Sequence, residues 1–481
     1  MVTRAAALIV VAAVGVLGVR AYDAWRGKPL QLWHTYAPRE LTVAELDRDG
    51  WDDYLRAEDV VFDGVRNEVT RKLPPAARTP LNRYFDGSRL YPGNFTPDWN
   101  RSYVLDPDGP PVGAAVFLHG LTDSPYSLRH IARRYRARGY TCVAIRLPGH
   151  GTVPGGLTDV DWEEWLAATR LAVREARRRA GPSVPLHVIG YSNGGALALK
   201  YALDAVDDDR LARPDRVVLI SPMIGVTRFA RFAGLAGLPA ILPAFAKAAW
   251  LSVKPEFNPF KYNSFPVNGA RQSHLLTRAL QQTILRHARD DRLRELPPVV
   301  TFQSVLDFTV STRAIITAFY AHLPANGSEL VLFDMNRKAK LGPFLSPTSD
   351  AVLERLLPEP PRRYRTTVIT NASPDSSEVV ERVTEAGAVT DRTRPLGLSY
   401  PPNVYSLSHV AVPFPISDPL YGLEPAEDED FGINLGTMAM RGERGVLVVS
   451  AGFLLRLGSN PFFPYMIERI EESITPGAPR R

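Results

Sequence analysis

The chain has 481 residues, 45% of them hydrophobic and 22% charged, a balance that builds a folded core and excludes a disordered or low-complexity protein. Its 57 basic and 51 acidic residues leave a net charge of +6 spread along the chain, so no basic patch marks a nucleic-acid partner. A single cysteine, Cys142, excludes an intramolecular disulfide framework and any cysteine-cluster metal site.

Residues 5–19 are uncharged and mostly apolar, between Arg4 and Arg20. As a helix this run spans about 22 Å, short of the roughly 30 Å hydrocarbon core, with Tyr22 and Trp25 placed to sit at an interface. The reading is an N-terminal membrane anchor or signal segment over 1–27, tethering the protein through a single helix. Basic residues on both sides leave its orientation open. Two alternatives stand: a cleaved signal peptide, giving a secreted or periplasmic protein, and a buried helix of a soluble domain.

An N-terminal extension follows over 28–100. Thr42 caps a helical pattern starting at Val43, a second helix covers 56–72 before Pro74-Pro75, and 91–99 is loop. Strands are expected at 101–105 and 113–118, a helix at 126–138, a strand at 140–146 holding Cys142 as a buried small hydrophobe, and a helix at 160–180. Further strands fall at 185–190, 215–220 and 298–304, with helical patterns at 195–203 and 311–323. Toward the C-terminus come an acidic run, Glu424 to Asp430, read as a solvated loop, a strand-like stretch at 445–450 and a helical tail around Met466–Glu471. Alternating strands and helices imply a doubly wound parallel sheet.

The strand ending at 190 runs into Gly190-Tyr191-Ser192-Asn193-Gly194 and then a helix. A G-x-S-x-G pattern between strand and helix is a sharp turn that holds a serine hydroxyl exposed, within reach of a base and of oxyanion donors. Larger side chains at 190 and 194 would clash in it. Ser192 is therefore the candidate nucleophile, and the backbone N–H of Asn193 the first oxyanion donor. Two other strands end in polar, glycine-containing turns: His119-Gly120-Leu121-Thr122 and Leu147-Pro148-Gly149-His150-Gly151. In open parallel sheets such carboxyl ends line the ligand crevice.

In this order, His119-Gly120-Leu121, Gly149-His150-Gly151 and Gly190–Gly194 resemble the α/β-hydrolase superfamily. Within it the chain is similar to the serine-hydrolase branch of monoacylglycerol lipases, lysophospholipases, carboxylesterases and related aminopeptidases. The likeness covers about 113–310, including Trp162 and Trp165. It implies an α/β-hydrolase fold: a doubly wound, mostly parallel sheet built from 101–221 and 297–478, a helical lid or cap insertion at 222–296, and the helical extension before it. It implies Leu121 N–H as second oxyanion donor, a structural His119, and an acid after the strand 298–304. Asp307 fills that place, with Asp334 the competitor.

The fold orders its triad serine, acid, histidine, which makes His150 structural and leaves His322 and His409. His322 lies in a helical pattern. His409 ends a β-rich run before a proline-rich loop and is the candidate base. The 102 residues from Asp307 to His409 depart from the family spacing, and an insertion at about 311–400, with strands near 329–334 and 363–370, fills the gap. The expected activity is hydrolysis of carboxylic esters of acyl lipids or similar apolar esters through an acyl-enzyme, without cofactor or metal. The expected partners are a small ester or lipid substrate and, through the N-terminal segment, a membrane; no nucleic acid is expected. The alternatives are a peptidase or amidase of the same fold, and a non-catalytic membrane-tethered binding protein descended from a hydrolase.

Overall fold

The strands β2 (Gly113–Leu118), β3 (Tyr140–Ile145), β4 (Leu186–Tyr191) and β8 (Val299–Ser304) are buried at every position, as strands covered on both faces must be. They form the centre of a ten-stranded sheet in the order β1-β3-β2-β4-β5-β8-β9-β10-β11-β12, where β1 is Tyr103–Leu105, β5 Arg216–Ile220, β9 Glu329–Phe333, β10 Arg365–Asn371, β11 Glu378–Thr384 and β12 Asp391–Ser399. The seven strands from β3 to β10 run parallel; β1 pairs antiparallel with β3 at one edge, and at the other β11 pairs antiparallel with both β10 and β12. A separate ribbon pairs β6 (Trp250–Ser252) with β7 (Phe265–Pro266). This computed structural model describes residues 29–225, 243–339, 356–402, 404–437, 451–456 and 458–474, with Gly15, Gly18 and Tyr22.

Alternate residues of each strand feed opposite cores. Val116, Val188 and Leu219 face one core with Trp165 and Leu171 of α4 (Trp162–Ala180), Leu197 of α5 (Asn193–Asp207) and Leu276 of α6 (Val267–Arg289). Phe117, Ile189 and Val218 face the other, with Tyr135 of α3 (Arg129–Ala137) and Met466 of α8 (Phe463–Ile474). Between β8 and β9 lies the short α7 (Thr312–Ala318), capped by the Ser311 side chain. The doubly wound sheet is thus the architecture that the strand and helix alternation implied.

The extension is bonded into this body. Thr42 and Glu45 form a capping box at the start of α1 (Val43–Arg48). The next helix, α2 (Trp51–Glu68), begins five residues before the expected start, where Asp53 accepts the Gly50 N–H. Glu40 grips Arg146, at the end of β3, through two bonds of 2.7 and 2.9 Å and also accepts Gly149 N–H at 2.8 Å. Glu58 takes Arg146 Nε at 3.1 Å, and Tyr54 Oη donates to the Arg146 carbonyl at 2.6 Å. All three charged side chains are buried, so the extension fixes the turn that follows β3.

Beyond β9 the sheet continues into the meander β10–β11–β12; β9 and β10 are the strands expected near 329–334 and 363–370. Its outer strand is exposed along most of its length and carries Arg392, Arg394 and Pro395, residues that discourage pairing with another chain. From β12 the chain returns across the carboxyl ends of β9 and β8. Tyr400 Oη donates to Asp334 O (2.6 Å), Asn336 N–H to Tyr405 O (2.7 Å), and Ser304 Oγ to Leu407 O (2.8 Å). The stretch 404–408 is therefore not the β-rich run expected: its carbonyls bond to strand-end residues rather than to a neighbouring strand.

One further difference and one further contact stand out. Glu429, in the acidic run read as solvated, accepts from Trp99 Nε1 at 2.7 Å and pairs with Arg129 and Arg133. Trp250, within the 222–296 stretch, sets its ring edge-on to His34 of the extension, 4.8 Å away. The segment 1–27 (apart from three residues), most of the apolar stretch 226–245 and the strand-like 445–450 lie outside the described residues. Among the described residues no helix is long and apolar enough to cross a membrane.

Candidate active site

Ser192 joins β4 to α5 with φ 55° and ψ −115°, a conformation that non-glycine residues avoid and that costs on the order of 1–3 kcal/mol. Neighbouring strands hold it there: Ser192 N–H donates to Ile220 O (2.9 Å), and its carbonyl accepts from Met223 N (2.9 Å) and Gly195 N (3.0 Å). The flanking glycines are required by contact. A Cβ on Gly190 would stand 2.2 Å from Gly194 O, and one on Gly194 would stand 2.0 Å from Leu118 O. Gly194→Ala is accordingly expected to destabilise the protein by about 1–3 kcal/mol or more through overpacking against backbone that has nowhere to go. Urea unfolding checks this; a midpoint equal to wild type contradicts the close approach.

His409 Nε2 lies 2.9 Å from Ser192 Oγ, and its Nδ1 lies 2.8 Å from Asp307 Oδ2. The structure thus brings together the three residues singled out in sequence, two from strand ends and His409 from the returning loop. The imidazole stacks on Tyr191, ring centroids 5.4 Å apart, and Tyr191 Oη donates to the His409 carbonyl. Asp307 Oδ1 accepts Thr309 N–H (2.7 Å) and Val310 N–H (3.0 Å). Burial alone would push its carboxyl pKa up; the facing His409 and these amides outweigh burial and leave it below the ordinary carboxylate value.

The competitors fall elsewhere. Asp334 binds Thr370 Oγ1 at 2.9 Å and pairs with Arg337. His322 sits in a 3-10 turn after α7. His119 accepts Leu147 N–H at Nε2 (3.0 Å), so its Nδ1 donates to Gly120 O (2.9 Å) and ties the turn after β2 to the turn after β3. His150 donates to Pro148 O and packs edge-on against Trp165; burial pulls its pKa down to about 3 and keeps it neutral.

Gly120 lies against the serine: a Cβ on it would stand 3.2 Å from Ser192 Cβ. The next residue, Leu121, lines the same cavity of about 360 Å³ as Ser192 and His409. Asn193 N–H opens α5, where a helix leaves its amides without an internal acceptor. Among the described residues neither Leu121 N–H nor Asn193 N–H has an acceptor in the fold. Asp123 shapes this turn by accepting from Ser127 Oγ (2.6 Å) and Gly120 N–H (3.4 Å).

Sequence reasoning missed several neighbours. Gln303, four residues before Asp307 on β8, donates Nε2 to its Oδ2 at 3.2 Å, and that spacing was a readable signal. Ser273 of α6 donates to Asn193 Oδ1 at 3.0 Å. Lys254, Lys261 and Arg456 reach the cavity wall from segments with no motif of their own. A serine hydroxyl, an imidazole oriented by a buried carboxylate and two open amides beside them can activate a nucleophile and receive an oxyanion.

Parts of the chain are similar to known proteins. The family model described as serine aminopeptidase, S33, matches residues 109–334. A thermostable monoacylglycerol lipase of Bacillus sp. (strain H-257) is 34% identical over 92 residues, 19% of this chain and 35% of that protein. A carboxylesterase of Bacillus subtilis (strain 168) is 31% identical over 87 residues, 18% of this chain and 35% of that one. The chain spans about a third of the length of these curated relatives. A solved structure of a metagenome-derived lipolytic enzyme is similar with a TM-score of 0.39 and 20% identity, over 49% of this chain and 88% of the other. Through residues 109–334, which carry Ser192, this chain is thus similar to serine hydrolases of the α/β-hydrolase superfamily.

Proposed function

We propose that the protein hydrolyses carboxylic esters of acyl-lipid-like or similar apolar character through an acyl-enzyme. The observation that carries this reading is the unbroken relay from Ser192 Oγ through His409 to Asp307, at 2.9 and 2.8 Å. Ser192 Oγ attacks the ester carbonyl while its proton passes to His409 Nε2. The oxyanion formed accepts hydrogen bonds from Leu121 and Asn193 N–H. Collapse expels the alcohol, which takes the proton from His409. Water, deprotonated by the same nitrogen, then attacks the acyl-serine and releases the acid. Asp307 stays ionised throughout, holds the tautomer and stabilises the imidazolium.

The names of the relatives, a monoacylglycerol lipase and a carboxylesterase, support ester over amide as the bond cleaved. Met223, Phe265 and Val410 on the cavity wall suit an apolar acyl or alcohol portion. A fluorophosphonate probe is expected to label the native protein at one site, and Ser192→Ala to abolish the label. Equal labelling of the variant, or none of the native protein, contradicts the proposal.

A further inference from the structure

The cavity above Ser192 has three cations on its wall. Lys254 and Lys261 come from the segment between β6 and β7, and Arg456 from the turn after residues 451–454 near the C-terminus. No carboxylate is among the described residues that line it. A merely apolar ester needs none of these charges, and holding like charges together is unfavourable.

Arg456 acts on both lysines. Burial pulls the Lys261 pKa down, Asp123 opposes this and Arg456 adds repulsion; burial, followed by repulsion from Arg456, also lowers that of Lys254. The carboxylates that act on the two lysines, Asp123 and Glu256, also serve as acceptors for other groups of the fold. Asp123 holds the turn at Gly120, and Glu256 accepts Asn263 N–H at 2.9 Å and Ser264 N–H at 2.7 Å. Arg456 has no acidic partner among the described residues and bonds Thr309, two residues past Asp307, which fixes its guanidinium beside the triad. The wall therefore pairs donors of positive charge with Met223 and Phe265, within one cavity that opens on the nucleophile.

We propose that this cavity binds an anionic group of the substrate, a carboxylate or a phosphate, through Lys261, Lys254 and Arg456, so that the favoured esters are amphiphiles with a negative charge close to the scissile bond. The inference rests on the ester-hydrolase reading for its substrate class and on the cation cluster for its charge. An anion there relieves the mutual repulsion and gains charge-assisted hydrogen bonds.

The test separates the two readings. Binding is measured by calorimetry on Ser192→Ala, with octyl phosphate against 1-octanol, so that turnover plays no part. Octyl phosphate is expected to bind about tenfold or more tightly, with an advantage that shrinks at high ionic strength. Lys261→Met and the exposed-site variant Arg456→Met, each added to Ser192→Ala, are expected to erode that advantage; the second is at the surface and spares the core. In the native enzyme, mono-p-nitrophenyl glutarate against p-nitrophenyl pentanoate places the charge on the acyl side. An acylglycerol phosphate against the acylglycerol places it on the alcohol side, and the arm with the higher kcat/KM ratio identifies the source. Equal binding of phosphate and alcohol, or no effect of either cation variant, overturns the anion subsite while leaving ester hydrolysis untouched. Selective phosphate binding with no ester turned over supports the subsite and overturns the hydrolase reading.

Discussion

Replacing His409 by alanine is expected to lower kcat on p-nitrophenyl butyrate by about 10⁴–10⁶-fold. Both ring nitrogens are engaged in the native protein, one on Ser192 Oγ and one on Asp307 Oδ2. Alanine removes the proton acceptor and leaves an unactivated hydroxyl. Asp307→Asn keeps the shape but offers the ring an amide, and the expected loss is about 10²–10⁴-fold. The facing His409 and the Thr309 and Val310 amides outweigh burial and hold the native carboxyl below the ordinary carboxylate value, which favours its ionised form. Steady-state kinetics on protein shown folded by circular dichroism decides the matter. Residual kcat within tenfold of wild type for His409→Ala removes it from the mechanism.

The second large effect is on stability. Asp418 lies nine residues beyond His409, and its side chain is fully buried. It takes Arg129 Nη1 at 2.9 Å, His130 Nε2 at 2.9 Å, Tyr126 Oη at 2.9 Å and the amides of Leu420 and Tyr421 at 3.0 and 2.7 Å. Arg129 is equally buried, and its guanidinium lies 3.7 Å from the Tyr126 ring centroid. Removing one member of such a buried pair strands the other. Asp418→Ala is expected to cost about 3–5 kcal/mol, a large part of the roughly 5–15 kcal/mol that holds a domain folded.

Burial raises the Asp418 pKa, but Arg129, His130 and the Tyr421 amide overcome it and hold the group far below its ordinary value. A carboxyl whose folded pKa is depressed contributes its stability above the unfolded pKa, about 3.9, and loses it as pH falls toward the folded one. The difference between wild type and Asp418→Ala should therefore be flat from about pH 5 to 8 and shrink below about pH 4. Urea unfolding across that range measures it. A difference under 1 kcal/mol at pH 7 contradicts the buried pairing.

The central sheet and the serine turn were legible because they follow from local rules. Uniformly apolar strands, a helix after each, and glycines where backbone meets backbone leave a direct trace in the sequence. Asp307 was legible as a strand-end acid, and His409 through the order of the three residues. The path between them was not. Residues 404–408 look like a strand because they are apolar and alternate, but their carbonyls bond to Asn336 and Ser304. Glu429 sits in an acidic run and is nevertheless half-buried against Arg129, a pairing 300 residues apart. Lys261 and Arg456 meet at the cavity only through tertiary packing, so no window of sequence contains both.

The hydrogen bond from Asn336 N to Tyr405 O, 2.7 Å, joins the chain's exit from β9 to its return. The described part of the chain between those residues adds β10 to the sheet beside β9, with β11 and β12 beyond it, and its two ends meet at this bond. Closing a longer loop adds only about 0.6 kcal/mol per doubling of its length. A change in the length of the turns within this part of the chain therefore costs little so long as the two ends still meet. The spacing of acid and base along the chain does not set their geometry; the strand end and the returning loop do, at 2.8 Å between His409 Nδ1 and Asp307 Oδ2.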